Sequence, residues 1–437
     1  MLISPSRVVA TALLGFPALL SPLFAQEASG TATKEVDGRS SASDTHTGPA
    51  PSKSGAAGPQ AQVVEPVAAA HDPLIAPDPA AGILRPWVDF KSKAASNWDL
   101  IISLTYTILY QDANHVVNGG SYDLLQGRAD LGIDWTLSRD GKNTGSIGFL
   151  ARSGENIGTS QHFAMGNAVG DTLGIDSLQG NSENHPISVN LLYWRQSFLD
   201  DKLAFYVGKI HPNQYLDLDP FNNDETTQFL SGPFDGNASN PNLGAYSVGA
   251  AAEYQIADDW HIHGVVIDAQ GASNLPPDTT FDGRYYEGLE VRWRPTFESL
   301  GKGNYRITGW HAQAPDGEAE GSGVSIGFSQ EIGGGWAPFG RWGYGNPDVA
   351  SMEQMISGGI ANVNPFGRRG DMFGIGVAWG NPSDGAQRQE VLIETFYRLK
   401  LTDSLEFSPD VEVLLPPGDR HAESTVVILG ARLKAVF

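Results

Sequence analysis

The last thirteen residues of the chain alternate in polarity. Residues 425–437 read T-V-V-I-L-G-A-R-L-K-A-V-F. Apolar residues occupy the odd positions from Val427 to Phe437, whereas Gly430, Arg432 and Lys434 stand at even positions. Because successive side chains of a β-strand point to opposite faces, this segment predicts a strand with one apolar face and one face that carries two cations. A strand of a soluble sandwich is compatible with the same pattern, so the rest of the chain has to separate the two readings.

The alternation recurs along the chain. In residues 122–137 the charged residues Arg128, Asp130 and Asp134 stand at even positions, while large apolar residues stand at odd positions. Residues 285–294, 370–380 and 405–413 repeat this arrangement. Bulky apolar residues on one parity and charged or very small residues on the other are typical of a transmembrane β-barrel with a lipid-facing exterior and a wet lumen.

Counting such segments predicts an all-β fold, an antiparallel transmembrane barrel of about sixteen strands, which is an even number within the range of outer-membrane barrels. Long connections alternate with short ones, as expected when long loops lie at one end of the barrel and tight turns at the other. The predicted strands are residues 101–110, 122–137, 144–152, 187–198, 203–210, 244–254, 260–269, 283–294, 303–313, 322–331, 335–344, 355–363, 370–380, 388–399, 404–413 and 425–437.

The amino-terminal region predicts export. Residues 1–25 combine one cation, Arg7, with a short apolar core and a small residue, Ala25, which is the pattern of a secretory signal peptide. Residues 26–90 are rich in Ala, Pro, Ser, Gly and Thr, and we expect them to form a disordered extension, either a periplasmic tether or a passive tail. No later stretch reaches the ~20 apolar residues of a spanning helix. Short segments of alternating polarity follow from Trp98 onward, so the barrel domain is predicted at 98–437.

Composition excludes several classes of function. The formal net charge of −22 argues against a nucleic-acid partner, since binding to phosphates requires basic patches. The chain has no Cys, which excludes a disulfide framework and a cysteine nucleophile. His261 and His263 share one strand face, but no third ligand is evident in the sequence. We therefore predict no metal and no cofactor.

Three segments resemble a known family. They are G-K-I-H-P-N-Q-Y-L-D-L-D-P-F-N-N-D-E-T-T-Q-F-L at 208–230, N-P-F-G-R-R-G-D-M-F-G-I-G-V-A-W-G at 364–380, and 394–418 together with the carboxy-terminal G-A-R-L-K-A-V-F. These segments resemble the carbohydrate-selective porins of the OprB type, and D-E-T-T-Q-F at 224–229 is among the more specific matches. The similarity covers roughly 98–437 and departs at 409–412, P-D-V-E, where relatives commonly carry an aromatic residue or Gln.

The resemblance implies a sixteen-stranded porin in the outer membrane of a Gram-negative bacterium, without catalytic activity. The porin would pass carbohydrates by passive diffusion, with glucose-like monosaccharides favoured and inward-folded loops as the constriction. The expected partners are a sugar permeant, outer-membrane lipid and lipopolysaccharide, the barrel assembly machinery that reads a terminal Phe, and a second copy of the chain in a homo-oligomer.

The candidate sugar-binding residues follow from the chemistry of a sugar, whose hydroxyls need charged or amide groups and whose ring face needs an aromatic ring. In general porins that resemble this layout, the loop after the fifth strand folds into the lumen, and here this connection is residues 211–243. A contribution from 153–186 is also expected. The candidates are Asn223, Asp224 and Glu225 in the loop and Arg128, Asp130, Trp194, Arg195 and Lys209 on the wall.

Each candidate has a structural alternative. Asp224 is also suited to capping a short helix inside the loop. Arg128 and Asp130 stand two residues apart and are equally suited to an ion-pair ladder. The alternation does not settle whether Trp194 or Arg195 faces inward. Trp135, Trp293 and Trp379 fit interfacial aromatic girdles better than a sugar platform, and the girdle is the stronger interpretation.

Two other functions remain open from the sequence. An outer-membrane lipid hydrolase would need a Ser/His/acid set, for which Ser153, or Ser160 with His162, is a weak match of no diagnostic spacing. A soluble secreted glycan-binding β protein would leave the many faces that are apolar on the outside and charged on the inside without explanation.

Overall fold

The computed structural model describes residues 72–117, 121–158, 164–174, 178, 187–241, 243, 245–272, 277–423 and 425–437. The predicted signal peptide lies outside these residues, as does the predicted extension up to residue 71. The described part of the chain is dominated by β-strands and includes three α-helices.

Sixteen strands of 8 to 18 residues form the wall of a barrel. They are β1 Leu100–Ala113, β2 Asp123–Asp140, β3 Asn143–Asn156, β4 Ser188–Phe198, β5 Leu203–Ile210, β6 Ser247–Ala257, β7 Trp260–Asp268, β8 Tyr285–Trp293, β10 Gly301–Gln313, β11 Glu320–Gln330, β12 Trp336–Gly345, β13 Met352–Val363, β14 Met372–Pro382, β15 Glu390–Lys400, β16 Leu405–Leu414 and β17 Val426–Val436. A two-residue strand, β9 Thr296–Phe297, pairs with the start of β10 within one turn. Each predicted strand overlaps one wall strand, so the predicted count of sixteen is confirmed.

The sheet closes on itself. Strand β1 pairs antiparallel with β2 and also with β17, in a register that runs from Thr105 opposite Val436 to Ala113 opposite Ile428. All other wall strands pair with their neighbours in sequence. Closure leaves no unpaired strand edge, which hydrocarbon would not tolerate. A single closed sheet also replaces the two stacked sheets that a soluble sandwich requires.

The outer face is apolar and the inner face is polar. In β17, Leu429 is 54% exposed on the outside, whereas Arg432 is 1% exposed and Lys434 7% exposed on the inside. The prediction for the terminal strand is therefore confirmed. Trp135, Trp293 and Trp379 all lie on the outer face near a strand end, and Trp293 stacks on Trp260 with ring centroids 5.8 Å apart. These positions fit the predicted aromatic girdles.

Tight turns lie at one end of the barrel. The turn between β4 and β5 places Asp200 and Asp201 at φ of 60° and 67°, a left-handed conformation that Asp tolerates better than most residues. The turn before β12 uses Gly333 and Gly334 at φ of 87° and 61°, where the absence of a Cβ removes the steric cost. The long loops lie at the opposite end, which is the extracellular end in barrels of this type.

The segment before β1 is described from residue 72. It includes helix α1, Ala81–Trp98, which overlaps the last ten residues of the extension that the sequence predicted to be disordered. Asp78, just before the helix, accepts hydrogen bonds from Ser404 N at 2.9 Å and Ser404 Oγ at 2.6 Å. The prediction of disorder is wrong for residues 81–90. It rested on the composition averaged over 26–90, in which the apolar residues of α1 are a small fraction. No helix in the described ranges has both the length and the apolarity needed to cross a bilayer.

The long connection between β5 and β6 enters the barrel interior and contacts the inward-facing side chains of the wall. This connection contains a short helix, α3 Gly232–Asp235, and a buried aromatic ring, Phe229. The Phe229 ring centroid lies 4.7 Å from that of Phe234, 4.8 Å from that of Phe396 and 5.4 Å from that of Phe339. A second helix, α2 Met165–Val169, belongs to the connection between β3 and β4 and is also largely buried. Apolar packing thus fixes the chain segments that carry the candidate site.

Candidate functional site

We define loop 3 as residues 211–246, of which 242 and 244 lie outside the described residues. Its charged side chains are buried, with Asp217 at 4%, Asp219 at 6% and Glu225 at 0% exposure. A buried carboxylate is costly unless it is paired or hydrogen-bonded. The partners of loop 3 are the inward-facing side chains of the barrel wall.

Two arginines on one side of the wall bind the first part of loop 3. Arg306 of β10 contacts Asp217 Oδ1 through Nε at 2.8 Å and Asp219 Oδ2 through Nη1 at 2.9 Å. Arg341 of β12 contacts Asp217 Oδ2 through Nε at 3.0 Å. Arg341 also donates to Phe234 O at 2.6 Å, to Asn222 O at 3.0 Å and to Asn223 Oδ1 at 3.0 Å. Arg341 is therefore the side chain that joins three separate parts of the loop.

A second charged network joins β2 and β3 to the loop. Arg128 Nε lies 2.9 Å from Asp130 Oδ2, and Arg128 Nη1 lies 2.6 Å from Glu225 Oε1. Arg152 Nε lies 2.7 Å from Asp130 Oδ1. The side chains of Arg128, Asp130 and Glu225 are at most 1% exposed. This burial leaves them no surface for a permeant and favours the ion-pair ladder among the two roles that the sequence left open.

Carboxylates of β15 and β16 bind another part of loop 3. Glu394 of β15 accepts from Leu230 N at 2.5 Å and from Ser231 N at 2.9 Å. Glu412 of β16 accepts from Ser231 Oγ at 2.5 Å and from Gln111 Nε2 at 3.0 Å. The loop is thus held by arginines of β10 and β12 and by glutamates of β15 and β16.

The terminal strand β17 completes the attachment. Arg432 donates to Glu225 O at 2.5 Å and also to Gln228 O. Lys434 donates to Thr226 Oγ1 at 2.8 Å. The two cations that first marked the inner face of this strand in the sequence are therefore contacts of loop 3.

Asp224 organises a turn of loop 3 rather than a helix. Its carboxylate accepts from Thr226 N at 2.9 Å and from the hydroxyls of Thr226 and Thr227, each at 2.6 Å. Residues 224–227 form a turn, so the predicted capping role is replaced by the closely related binding of free turn donors. Burial raises the pKa of Asp224, but the charge of Lys434 and the hydrogen bonds from the threonines outweigh burial and lower this pKa to about 2.

Asp235, at the end of α3, has the opposite environment. Its carboxyl is buried and neither oxygen has a hydrogen-bond partner among the described residues. Burial, together with the charges of Glu225 and Asp224, raises its pKa well above the ordinary value. Loop 3 therefore contains one carboxyl held as an anion and one that favours the protonated form.

A cavity of about 440 Å³ lies between loop 3 and the wall formed by β1 and β15 to β17. The described lining residues include four carboxylates, three cations, two amides and two threonine hydroxyls, and none of these residues is aromatic. The lining residues are Thr105, Asp219, Pro220, Asn223, Asp224, Thr227, Gln228, Arg398, Lys400, Asp403, Glu406, Lys434 and Val436. Two aromatic residues of loop 3, Tyr215 and Phe221, are buried and are not among the lining residues.

Among the described lining cations, Arg398 has the longest hydrogen bond. Its Nη2 donates a long hydrogen bond of 3.5 Å to Gly370 O, and its Nε has no partner among the described residues. Lys400, by contrast, pairs with Glu406 at 3.1 Å. Arg398 is thus the guanidinium in the cavity that retains unused donors.

Three predicted wall residues lie away from the cavity. Trp194 is 39% exposed and stands opposite Val207, which is 59% exposed on the outer face, so Trp194 faces outward. Of the neighbouring residues Trp194 and Arg195, Arg195 is therefore the one that faces inward. It lies near the tight-turn end, and its Nη2 is 2.7 Å from Asp201 Oδ1. Lys209 stands opposite Leu192, which is 51% exposed. Lys209 therefore shares the outer face, and its predicted position on the lumen wall is wrong.

The sequence analysis missed Arg306, Arg341 and Arg398. A usable signal existed for Arg341, which is the one charged residue in β12 and stands on the parity opposite Trp342 and Tyr344. For Arg306, the neighbouring positions Tyr305 and Ile307 gave the same indication. What the sequence did not contain was the distance from these strands to the acidic residues of loop 3.

The residues proposed for a hydrolase find no support as a set. Ser153 stands opposite Ala129, on the outer parity of β2 and β3, while Ser160 and His162 lie outside the described residues. Among the described residues, no group of three or more His, Cys, Asp or Glu side chains is placed to hold a metal ion.

A closed sixteen-stranded barrel with an apolar exterior, a charged interior and a loop bound across that interior defines a porin of the outer membrane. Comparison with known proteins supports this class. A profile of the carbohydrate-selective porin family OprB matches residues 127–437, which is more than half of the chain. The chain therefore belongs to the carbohydrate-selective porin family OprB, whose fold is that of a channel rather than an enzyme.

Individual relatives are distant. Porin AaxA of Chlamydia abortus is 25% identical over 280 residues, which cover 61% of this chain and 60% of that protein. Porin AaxA of Chlamydia felis is 24% identical over 280 residues, or 61% of each chain. The matched region thus spans about three fifths of the length of these curated relatives. The solved structure of Pseudomonas putida OprB is 14% identical with a TM-score of 0.66, covering 80% of this chain and 97% of that chain, and it supports the fold.

Proposed function

We propose that this porin passes carbohydrates by passive diffusion, with glucose-like monosaccharides favoured, and that loop 3 narrows the path. The observation that carries the proposal is the cavity of about 440 Å³ between loop 3 and β15 to β17, with its dense lining of polar groups. Its volume falls in the range of ~300–1,000 Å³ that is usual for small-molecule sites. Membership of the family supports the choice of carbohydrate as the permeant class.

The lining suits hydroxyl groups, since each sugar hydroxyl both donates and accepts a hydrogen bond. Arg398 offers donors, Asp403 offers acceptors, and Gln228 and Asn223 offer both. Because no aromatic ring lines the cavity, recognition rests on hydrogen bonds rather than on stacking. Such a site binds weakly and releases readily, as passage through a pore requires.

The proposed narrowing rests on how firmly loop 3 is attached. Its carboxylates and backbone carbonyls bind Arg128, Arg306, Arg341 and Arg432, and its backbone N–H groups bind Glu394. A loop held by charged groups on several strands keeps its position while solutes pass. The remaining open path then lies beside the loop, where the cavity is.

Swelling of proteoliposomes that contain the purified porin tests the proposal. We expect swelling in glucose to be faster than in tetraethylene glycol, a molecule of similar mass that lacks ring hydroxyls. Arg398→Gln should reduce this preference, whereas Trp194→Phe on the outer face serves as the matched control and should leave it unchanged. Equal swelling rates for the two solutes in the unaltered protein would contradict carbohydrate selectivity.

A further inference from the structure

Helix α1, Ala81–Trp98, presents apolar residues that the barrel does not cover. Leu84, Trp87 and Lys91 are half-buried and Ala94 is fully buried, so this side of the helix packs on the barrel. On the flank of that side, Ile83 is 83% exposed and Phe90 is 43% exposed. At 100° per residue, Ile83 and Phe90 point in nearly the same direction.

The carboxy-terminal end of α1 is fixed on the outer side of the barrel rim. The indole N–H of Trp135 donates to Trp98 O at 3.1 Å. Trp135 belongs to the outer, apolar face of β2 and is 41% exposed. Lys91, two turns earlier, donates to the backbone oxygen of Phe437. The helix is therefore anchored at the tight-turn end, next to the lipid-facing surface.

Helix α1 lies apart from the cavity beside loop 3, since none of the described residues that line this cavity belongs to α1. The opposite side of the helix is polar, since Arg85, Asp89, Ser92 and Lys93 stand there, all exposed. The helix thus has a side that packs on the barrel, the flank of Ile83 and Phe90, a second flank with Val88, which is 47% exposed, and a polar side.

We propose that α1 lies on the membrane surface, with the flank of Ile83 and Phe90 inserted in the phospholipid leaflet at the tight-turn end. The carboxy-terminal end of α1 already contacts Trp135 on the apolar exterior of the barrel, which faces lipid. An amphipathic helix with a polar side that carries cations is suited to the boundary between headgroups and acyl chains. The segment before β1 then acts as a collar that ties the barrel rim to the leaflet.

The absence of Cys from the chain allows a direct test with single spin labels. Nitroxides are placed at Ile83→Cys and Phe90→Cys on the flank, and at Ser92→Cys on the polar side of the same helix. Ile326→Cys on the outer wall of β11, where Ile326 is 46% exposed, gives the reference value for lipid. Each labelled porin is reconstituted in phospholipid vesicles, and its folding is checked by heat-modifiable gel mobility.

Collision rates with oxygen and with a water-soluble nickel chelate then give the immersion depth of each label. The proposal predicts a positive depth parameter at 83 and 90, as at 326, and a negative value at 92. If the labels at 83 and 90 collide with the nickel chelate as often as the label at 92, the helix is not in the leaflet and the proposal is overturned. Both flank sites must give the lipid value, so a single immersed label also counts against the proposal.

Discussion

Replacement of Arg341 by alanine is the sharpest test of how loop 3 is held. Arg341 is 3% exposed, and its side chain binds the Asp217 carboxylate, the Asn223 amide and three backbone carbonyls of the loop. Arg341→Ala removes all these donors at once. It leaves the Asp217 carboxylate with Arg306 as its remaining partner among the contacts described above.

The size of the effect follows from burial. Breaking a buried ion pair by removing one partner costs about 3–5 kcal/mol. With ~1.4 kcal/mol for each factor of ten, the population of loop 3 released from the wall should rise by about 10²–10³-fold. Because the barrel strands keep their own hydrogen bonds, the effect should be confined to the loop.

Hydrogen exchange of loop 3 amides measures this population. In Arg341→Ala, exchange at Phe221 and Thr226, whose N–H groups bind side chains within the loop, should accelerate by about 10²–10³-fold. Arg388→Ala is the matched control, because Arg388 donates to the carbonyls of Pro417 and Ala422 in a different loop. Exchange of loop 3 that is unchanged in Arg341→Ala, or accelerated equally in both variants, would refute the reasoning.

Three further predictions concern other parts of the molecule. Asp235→Asn should leave loop 3 unchanged at low pH and should stabilise loop 3, relative to the parent, as the pH rises. The pKa of Asp235 is raised, so the contribution of its protonated carboxyl to stability is lost as the pH rises through the folded-state pKa. Single-channel noise measured against pH checks this, and no difference between variant and parent at high pH would contradict it. The pKa of Asp224 is lowered to about 2, so the contribution of its carboxylate to the stability of loop 3 is complete above about pH 4 and is lost as the pH falls toward 2. Conductance measured against pH checks this, and an Asp224-dependent change of conductance well above pH 4 would contradict it. Deletion of Phe437 should lower the yield of heat-modifiable barrel in cells, because the Phe437 N–H donates to Leu104 O and its backbone oxygen accepts from Lys91; an unchanged yield would contradict this.

The barrel was predictable because strand alternation is a local property of the sequence. The direction of each side chain in β2 and β17 follows from parity alone, and the turn residues at 200–201 and 333–334 mark the strand ends. Parity failed at β4, where Leu191 and Tyr193 are apolar and yet face inward. They do so because Tyr215 and Leu216 of loop 3 pack in the same apolar cluster. Where loop 3 packs on the inner wall through apolar side chains, the inner face of the strand is apolar as well. The difference in polarity between the two faces, on which the prediction depends, is then lost.

The site was predictable only in part, since its contacts are distant in sequence. Loop 3 was identified as the segment that enters the lumen, and Arg128 was placed on the wall. Its partner Glu225 is 97 residues away, and the sequence gives no measure of that distance. Arg341, which lies 124 residues from Asp217, was missed for the same reason. Helix α1 was missed because composition was averaged over a long segment.

The central claim, that this barrel is a pore with a carbohydrate-binding constriction, is tested most directly by ion current through a single porin in a planar bilayer. We expect glucose to reduce the current in a saturable manner, whereas tetraethylene glycol at the same concentration should not. Arg398→Gln should raise the concentration of glucose needed for half-maximal block. Normal ion conductance with no saturable block by glucose or any related sugar would contradict the claim.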